Sequence, residues 1–289
     1  MNTCFDILIC PVCKSPLQQI DRALKCRQNH TFDLAREGYA NLLLPRKKLS
    51  DTVGDNPDML QARRRFLEAG HYALLSHAIN QLVEGFLTGR PHSANPANIL
   101  DAGCGEGYYL GRLQSHLPAV FPESQLCFAG VDVSKTAVRY AAKRYKNGRF
   151  FVSDINTLIP VADQSVTVLL NIFAPRNPLE FARMTAPGSR LLIVIPKPCH
   201  LRAMRERFNL LQIAEDKQAG VITRFAASFQ LQEVVSVEDT LTLTPQAAAD
   251  LLQMTPNARH LTTADWKVVA KVEAIITEIG FDLLQFSRN

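Results

Sequence analysis

From residue 98 onward, short apolar runs alternate with amphipathic stretches of helical period. The runs near 98–102, 126–132, 149–153, 166–172 and 190–195 are almost continuously apolar. That is the pattern of strands covered on both faces. Helical stretches near 107–117, 134–145 and 178–184 lie among them. The alternation predicts an α/β fold built on a doubly wound sheet. Further on, Leu231 to Leu243 alternates as a strand, and Leu251 to Pro256 reads as a helix end and turn. A helix capped by Thr263 follows, with Trp266 in its first turn as core or staple, and Phe281 to Phe286 closes the chain as a strand. Upstream, Asn56-Pro57 has the form of an N-cap and first helical residue. The helix to about Ala69 places Met59, Ala62, Phe66 and Ala69 on one stripe, with Gln61, Arg64, Arg65 and Glu68 opposite. A second amphipathic helix runs from about Leu74 to Phe86. Polar breaks at 45–57 and 88–96 divide the chain into residues 1–44, a joining segment 45–95, and a main domain 96–289.

Length and composition agree with this layout. A chain of 289 residues with 47% hydrophobic content can bury a large core. No apolar run approaches the roughly 20 residues that span a bilayer, and the first residues lack the form of a signal peptide. Seven cysteines, an odd number, point to reduced thiols in the cytoplasm and not to a disulfide framework. The net charge of +5 permits a nucleic-acid partner without requiring one. Charge and motifs leave a homodimer open.

The first chemical motif is Cys10-Pro11-Val12-Cys13 followed by Cys26-Arg27-Gln28-Asn29-His30. The spacing C-x2-C-x12-C-x3-H sets two chelating turns around a short hairpin, with Pro16-Leu17 and Ala23-Leu24 as its strands. Three thiolates and one imidazole would surround a zinc ion tetrahedrally. Four protein ligands close the site, so the zinc is read as structural. A module of about 40 residues has too little core to fold unaided. Cys4 has the wrong spacing for a ligand.

The second motif is Asn98 to Tyr109, in which a strand ends at Asp101 and Gly103, Gly105 and Gly107 follow at alternate positions. Glycine lets a ligand lie against the main chain at the carboxyl edge of a sheet. Tyr108 holds the place of the third glycine of a dinucleotide fingerprint, so the loop departs from the NAD pattern. It resembles instead the glycine loop of class I S-adenosylmethionine (SAM) methyltransferases. Two more strands end in acids. Asp132 is placed to take the ribose hydroxyls, and Asp154 to meet the adenine edge.

The substrate edge gives weaker signs. Asn171-Ile172-Phe173-Ala174-Pro175 does not match the Asn/Asp-Pro-Pro-Tyr/Phe motif of exocyclic-amine methylases. Ala186 to Ser189 resembles the turn that class I enzymes place before the next strand. His200 falls near the same edge, where a lone histidine is more often structural than functional. Residues 1–70 hold 11 Lys/Arg against 8 Asp/Glu, and residues 197–230 hold six against three. Arg63-Arg64-Arg65 is therefore expected to face RNA, with a merely solvated face as the alternative, and 197–230 could form a second basic wall. The triplet Arg46-Lys47-Lys48 reads as a solvated face of the linker.

The zinc ribbon, Phe32-Asp33, Glu37-Gly38-Tyr39, Asn41-Leu42-Leu43, Gln61-Ala62-Arg63-Arg64, Ala69-Gly70-His71-Tyr72, the loop Asp101 to Tyr109 and Gln253-Met254-Thr255-Pro256 occur in one order. Together they resemble the 23S ribosomal RNA guanine-N1 methyltransferases over nearly the whole chain. The resemblance implies a class I methyltransferase sheet with an N-terminal zinc ribbon for RNA recognition. It implies zinc on Cys10, Cys13, Cys26 and His30, and cofactor contacts from Tyr72, Gly105, Glu106 and His200. The expected reaction is methyl transfer from SAM to N1 of a specific guanine in a loop of 23S rRNA. No catalytic base is assigned, although Asn171 or the backbone near Ala174 could orient the guanine. The rival readings are a small-molecule methyltransferase and a non-catalytic zinc-ribbon RNA-binding protein.

Overall fold

The computed structural model describes residues 6–44, 55–90, 96–255, 261–271 and 273–289. The expected linker with its basic triplet, most of the break at 88–96, Cys4 and Pro256 lie outside the described residues. Three short strands, β1 (Gln18–Ile20), β2 (Ala23–Lys25) and β3 (Thr31–Asp33), form an antiparallel ribbon. The next strand, β4 (Ala40–Asn41), leaves that ribbon and pairs in parallel with β7 (Gly148–Val152). Bridges also tie Leu8 to Val161 and Ile9 to Pro16. The ribbon is thus fastened to the edge of the main sheet. Leu17 and Leu24 share one apolar cluster with Phe151 and Val161.

Two helices precede the sheet, α1 (Pro57–Glu68) and α2 (Ala73–Thr88). The sequence reading of α1 holds in detail. The Asn56 side chain accepts the Met59 N–H at 2.9 Å, and Pro57 opens the first turn. The main sheet continues with β5 (Ala97–Ala102), β6 (Leu126–Asp132), β8 (Val166–Ile172) and β9 (Thr185–Pro196). Helices α3 (Tyr108–Val120), α4 (Lys135–Arg144) and α5 (Pro178–Met184) connect them. The spatial order is β10-β11-β9-β8-β5-β6-β7-β4, where β10 (Phe229–Leu243) and β11 (Ile275–Arg288) form a long antiparallel pair at one edge. From β5 the chain first winds one way, to β6 and β7, then returns to β8 and β9 on the other side. That reversal opens a crevice at the carboxyl ends of β5 and β8. One apolar cluster holds residues of α2, α3 and α4, and a second holds residues of the ribbon, α5 and α7 (Lys217–Phe225).

Several expectations shift. The last strand begins at Ile275, not Phe281, because Ile275, Thr277 and Ile279 alternate inward and extend the buried run. The 186–189 turn is an early part of β9, where Gly188 takes a φ of 75° beside a register irregularity at Val166/Val168. The cap of α9 (Thr263–Val269) is Thr262, which forms a reciprocal capping box with Asp265. Between β9 and β10 the chain forms α6 (Arg202–Arg207) as well as α7, and α8 (Pro245–Gln253) follows β10. Cys10, Cys13, Cys26, Cys104 and Cys199 are free thiols, whereas Cys127 is disulfide-bonded, against the all-thiol expectation. Among the described residues no helix is long and apolar enough to cross a membrane.

Candidate active site and zinc cluster

Two tight turns set the metal ligands. Lys14 (φ 61°) and Asn29 (φ 62°) adopt left-handed conformations that fold the chain back. The Lys14 and Asn29 N–H groups donate to the Cys10 and Cys26 carbonyls. Cys10, Cys13, Cys26 and His30 then bring their donor atoms within 4.8 Å of one another. The Cys13 and Cys26 sulfurs are 3.6 Å apart, and His30 Nδ1 lies 3.5 and 3.3 Å from the sulfurs of Cys10 and Cys26. Bond lengths of about 2.3 Å to sulfur and 2.0–2.1 Å to nitrogen give tetrahedral edges of about 3.6–3.8 Å. The donors therefore already stand near the corners of a zinc tetrahedron. The Ser15 hydroxyl and N–H beside Cys13 lower its thiol to about 7, which favours the thiolate that zinc needs.

The second site lies at the crevice. Gly103, Gly105 and Gly107 have φ values of 92°, 53° and 84°, which only glycine adopts without strain. The Gly103 and Cys104 N–H groups both donate to the Val131 carbonyl, so the loop folds against β6. Asp132 braces it from the other side. One carboxylate oxygen accepts the Gly105 N–H at 2.9 Å and the other accepts the Ser134 N–H at 2.8 Å. Each oxygen keeps a lone pair free. Asp101, 2% exposed, leaves Oδ1 without a partner. Burial, then the neighbouring Asp132 charge, pushes its pKa up to about 8.

Glu106 is equally buried. Its Oε2 accepts from Arg64 Nε and Nη2 at 2.9 and 2.7 Å, while Oε1 is unpartnered. Burial raises its pKa, against the opposing pull of Arg64. Tyr109, in the first turn of α3, buries a hydroxyl with no partner and interacts electrostatically with both Tyr72 and Asp101. Asn171 completes this group. Its Nδ2 donates to the carbonyls of Ala102 and Pro175, which fixes the amide orientation and leaves Oδ1 buried and unpaired. Orphaned polar atoms at one sheet edge suit a polar ligand, because buried oxygens without partners are costly.

Tyr72 and His200 also meet. The Tyr72 hydroxyl is 3.4 Å from His200 Nε2. His200 Nδ1 accepts the Gly280 N–H at 3.3 Å, which places the ring proton on Nε2. Burial, then the nearby Arg205 and Lys217, lower the His200 pKa to about 3, so the ring is neutral. Asp154 follows β7 at the same edge, but its Oδ1 closes a local turn by accepting from Asn156.

The arginine triplet of α1 departs from the RNA-facing role expected of it. Arg63 pairs with Asp55 and donates to the Met254 carbonyl. Arg64 neutralises Glu106, and Arg65 grips Asp250 at 2.6–3.2 Å. Glu106 and Asp250 are buried carboxylates, and a buried charge needs a partner. The triplet thus clamps α1 across the glycine loop and α8. Tyr109 and this clamp escaped the sequence reading. Tyr109 stood visible beside the loop, but the carboxylates that Arg64 and Arg65 hold are 42 and 185 residues away.

Comparison with known proteins adds the family. Residues 8–51 match a zinc-ribbon family model described as "RlmA, N-terminal", and residues 94–234 match a methyltransferase-domain model. A Micromonospora griseorubida protein, provisionally named a 23S rRNA (guanine-N(1)-)-methyltransferase, is 36% identical over 93% of this chain and 91% of its own length. The 23S rRNA (guanine(748)-N(1))-methyltransferase of Streptomyces fradiae is 34% identical, over 88% and 86%. The chain belongs to the 23S rRNA (guanine-N1)-methyltransferase family. Among solved structures, YcgJ of Bacillus subtilis is similar to this methyltransferase with a TM-score of 0.48 at 15% identity, covering 74% of this chain and 99% of that one.

In this methyltransferase Gly103 is the least replaceable loop residue. A Cβ there would overlap the Ala174 side chain and approach Ile155 at 3.4 Å, at a φ closed to alanine. Gly103→Ala is expected to destabilise the protein by about 1–3 kcal/mol and to weaken SAM binding. Thermal unfolding and calorimetric titration with SAM check both effects. A variant with unchanged melting temperature and SAM affinity would contradict the close packing.

Proposed function

We propose that this chain transfers the methyl group of SAM to N1 of a guanine in 23S ribosomal RNA. The observation that carries the reading is the joining of a zinc ribbon to the SAM-type crevice along one sheet, in a chain whose relatives match it over nearly their whole length. An RNA substrate of this kind belongs to the cytoplasm. The proposed site draws on one chain, so a homodimer is not required.

SAM, when bound, supplies a methyl already activated by its sulfonium. The protein's task is then to hold, orient and exclude water. Asp132 would take the ribose hydroxyls with its spare lone pairs, and Asp154 would meet the adenine edge. Asp101, Glu106 and Tyr109, whose oxygens are unpaired, would meet the remaining polar and cationic groups, and Gly103 and Gly105 would give backbone access. Tyr72 closes the crevice, oriented by His200. Both His200 nitrogens are engaged, so His200 orients and does not abstract the proton. Guanine N1 carries a proton that must pass to a base, or to water held by one, as the methyl arrives. Asn171 Oδ1, fixed as an acceptor, would hold the guanine N–H edge. Because N1 lies on the pairing edge, the base must be unpaired or flipped out. Residues 1–44 are read as the RNA-recognition ribbon, 45–95 as the segment that brings Tyr72 over the cofactor, and 96–289 as the methyltransferase domain.

Primer extension on 23S rRNA incubated with the enzyme and SAM tests this directly. An N1 methyl blocks Watson–Crick pairing, so a SAM-dependent stop at one guanine is expected. Absence of any stop on naked and ribosome-assembled RNA, with protein that binds SAM, would exclude the N1 assignment.

A further inference from the structure

Phe173 stands just beyond β8, with a φ of 53° and 44% of its surface exposed. A bulky side chain in the left-handed region is a conformational outlier. Such strain persists where the surroundings enforce it, and it clusters at functional sites. Here the surroundings are visible. Asn171, two residues earlier, is pinned through both of its amide bonds. The Phe173 ring packs against Phe281 with centroids 5.4 Å apart, and Phe281 in turn meets His200 at 4.6 Å and Tyr72 at 4.9 Å. The strained backbone therefore does not bury this ring. It backs the ring against an aromatic stack while leaving much of it in solvent.

Three residues further on, within roughly 11 Å of chain, the charge pattern changes. Arg176 is half-buried and its Nε has no partner. Arg224 of α7 donates from Nη2 to the Arg176 carbonyl at 2.9 Å. Lys217 lies two turns before Arg224 on the same helix and is also half-buried. Two other basic residues of this segment are already occupied. Lys197 pairs with Glu238, and Arg205 donates to the carbonyls of Pro198 and His200. Among the described residues no carboxylate pairs with Arg176, Lys217 or Arg224. Burial and Arg224 lower the Arg176 pKa, while burial and Arg176 lower that of Lys217. Desolvated like charges without a counter-charge are unfavourable. A phosphate would offset them with charge-assisted hydrogen bonds.

We propose that Phe173 stacks on the target guanine and that Arg176, Lys217 and Arg224 hold the phosphates flanking that nucleotide. The proposal rests on the RNA reading above and makes it specific. A flat aromatic face accepts an unpaired base, and cations beside it fix the register of the strand. This also relocates the electrostatic contact with RNA, from the α1 arginines, which are paired with Asp55, Glu106 and Asp250, to the loop after β8 and the face of α7.

The test uses the zinc-loaded full chain, SAM, and the 23S rRNA fragment carrying the primer-extension stop. Phe173→Ala is expected to lower kcat/KM about 10- to 100-fold, with SAM affinity by calorimetry unchanged within twofold. Phe173→Trp should recover most of the loss. Lys217→Gln and Arg224→Gln should each raise KM, leave kcat unchanged, and flatten the log–log salt dependence of RNA binding by about 0.7. Arg224 is exposed, so its variant remains informative if substitutions at half-buried Arg176 do not fold. Retained activity in Phe173→Ala, a Trp variant no better than Ala, or unchanged salt slopes would overturn the proposal while the wild type still methylates RNA. A wild type that methylates no RNA would instead overturn the RNA reading itself.

Discussion

Stripping zinc from the protein is expected to unfold the N-terminal ribbon and abolish RNA methylation, while SAM still binds. The ribbon has little of its own to hold it. Its strands are three residues long, and β1 is exposed throughout. Leu17 and Leu24 are buried, but much of their cluster belongs to the main sheet. Structural zinc contributes about 10–16 kcal/mol in small zinc domains, far more than these strands supply. The cofactor crevice, by contrast, is assembled from β5, β6, β8 and the start of α3, none of which carries a metal ligand. Chelation should therefore separate the two activities. The same separation is expected of Cys26→Ser, read by metal content, circular dichroism, SAM titration and primer extension. If chelated protein still methylates RNA at the native rate, the ribbon has no part in recognition.

Replacing Asp101 by Asn is expected to stabilise the cofactor-free protein above about pH 8 and to weaken SAM binding about 100-fold or more. The sign follows from the proton balance. Asp101 titrates near 8 in the folded protein and near 3.9 when unfolded. Between those values the folded state holds a proton that the unfolded chain does not, so stability falls as pH rises through this window. Full ionisation costs at most about 6 kcal/mol on this scale, and asparagine removes that cost. A cationic cofactor beside the carboxyl reverses the balance by favouring the ionised form. SAM affinity should then rise with pH from about 6 to 8, with release of close to one proton on binding. Calorimetry in two buffers of different ionisation enthalpy measures that proton. Identical pH profiles for wild type and Asp101→Asn would remove Asp101 from cofactor binding.

How much of this was legible in the sequence depended on whether the cause was local. Asn56-Pro57 announced α1, and the Cys/His spacing brought four ligands together, because caps and chelating turns are built from adjacent residues. The parallel strands were readable because both faces are covered, which leaves unbroken apolar runs. Position 101 was identifiable as the end of a strand, but its raised pKa comes from burial and from Asp132, 31 residues away. The α1 arginines misled for the same reason. A basic triplet has one appearance whether it faces RNA or the buried carboxylates of Glu106 and Asp250. Nothing in the run Ile172-Phe173-Ala174 announces a left-handed phenylalanine, whose ring meets Phe281 more than a hundred residues away.

The pairing of β4 with β7 also sets an order of events during synthesis. Ala40 and Asn41 leave the ribosome long before Phe151 and Val152, their partners, have been made. At 5–20 residues per second, the intervening stretch takes roughly 5–20 s to translate. Throughout that interval the nascent ribbon lacks the surface it later rests on. Metal capture in the meantime would fold its knuckles before the sheet arrives, and would shield Leu17 and Leu24 from misdirected contacts while the chain waits.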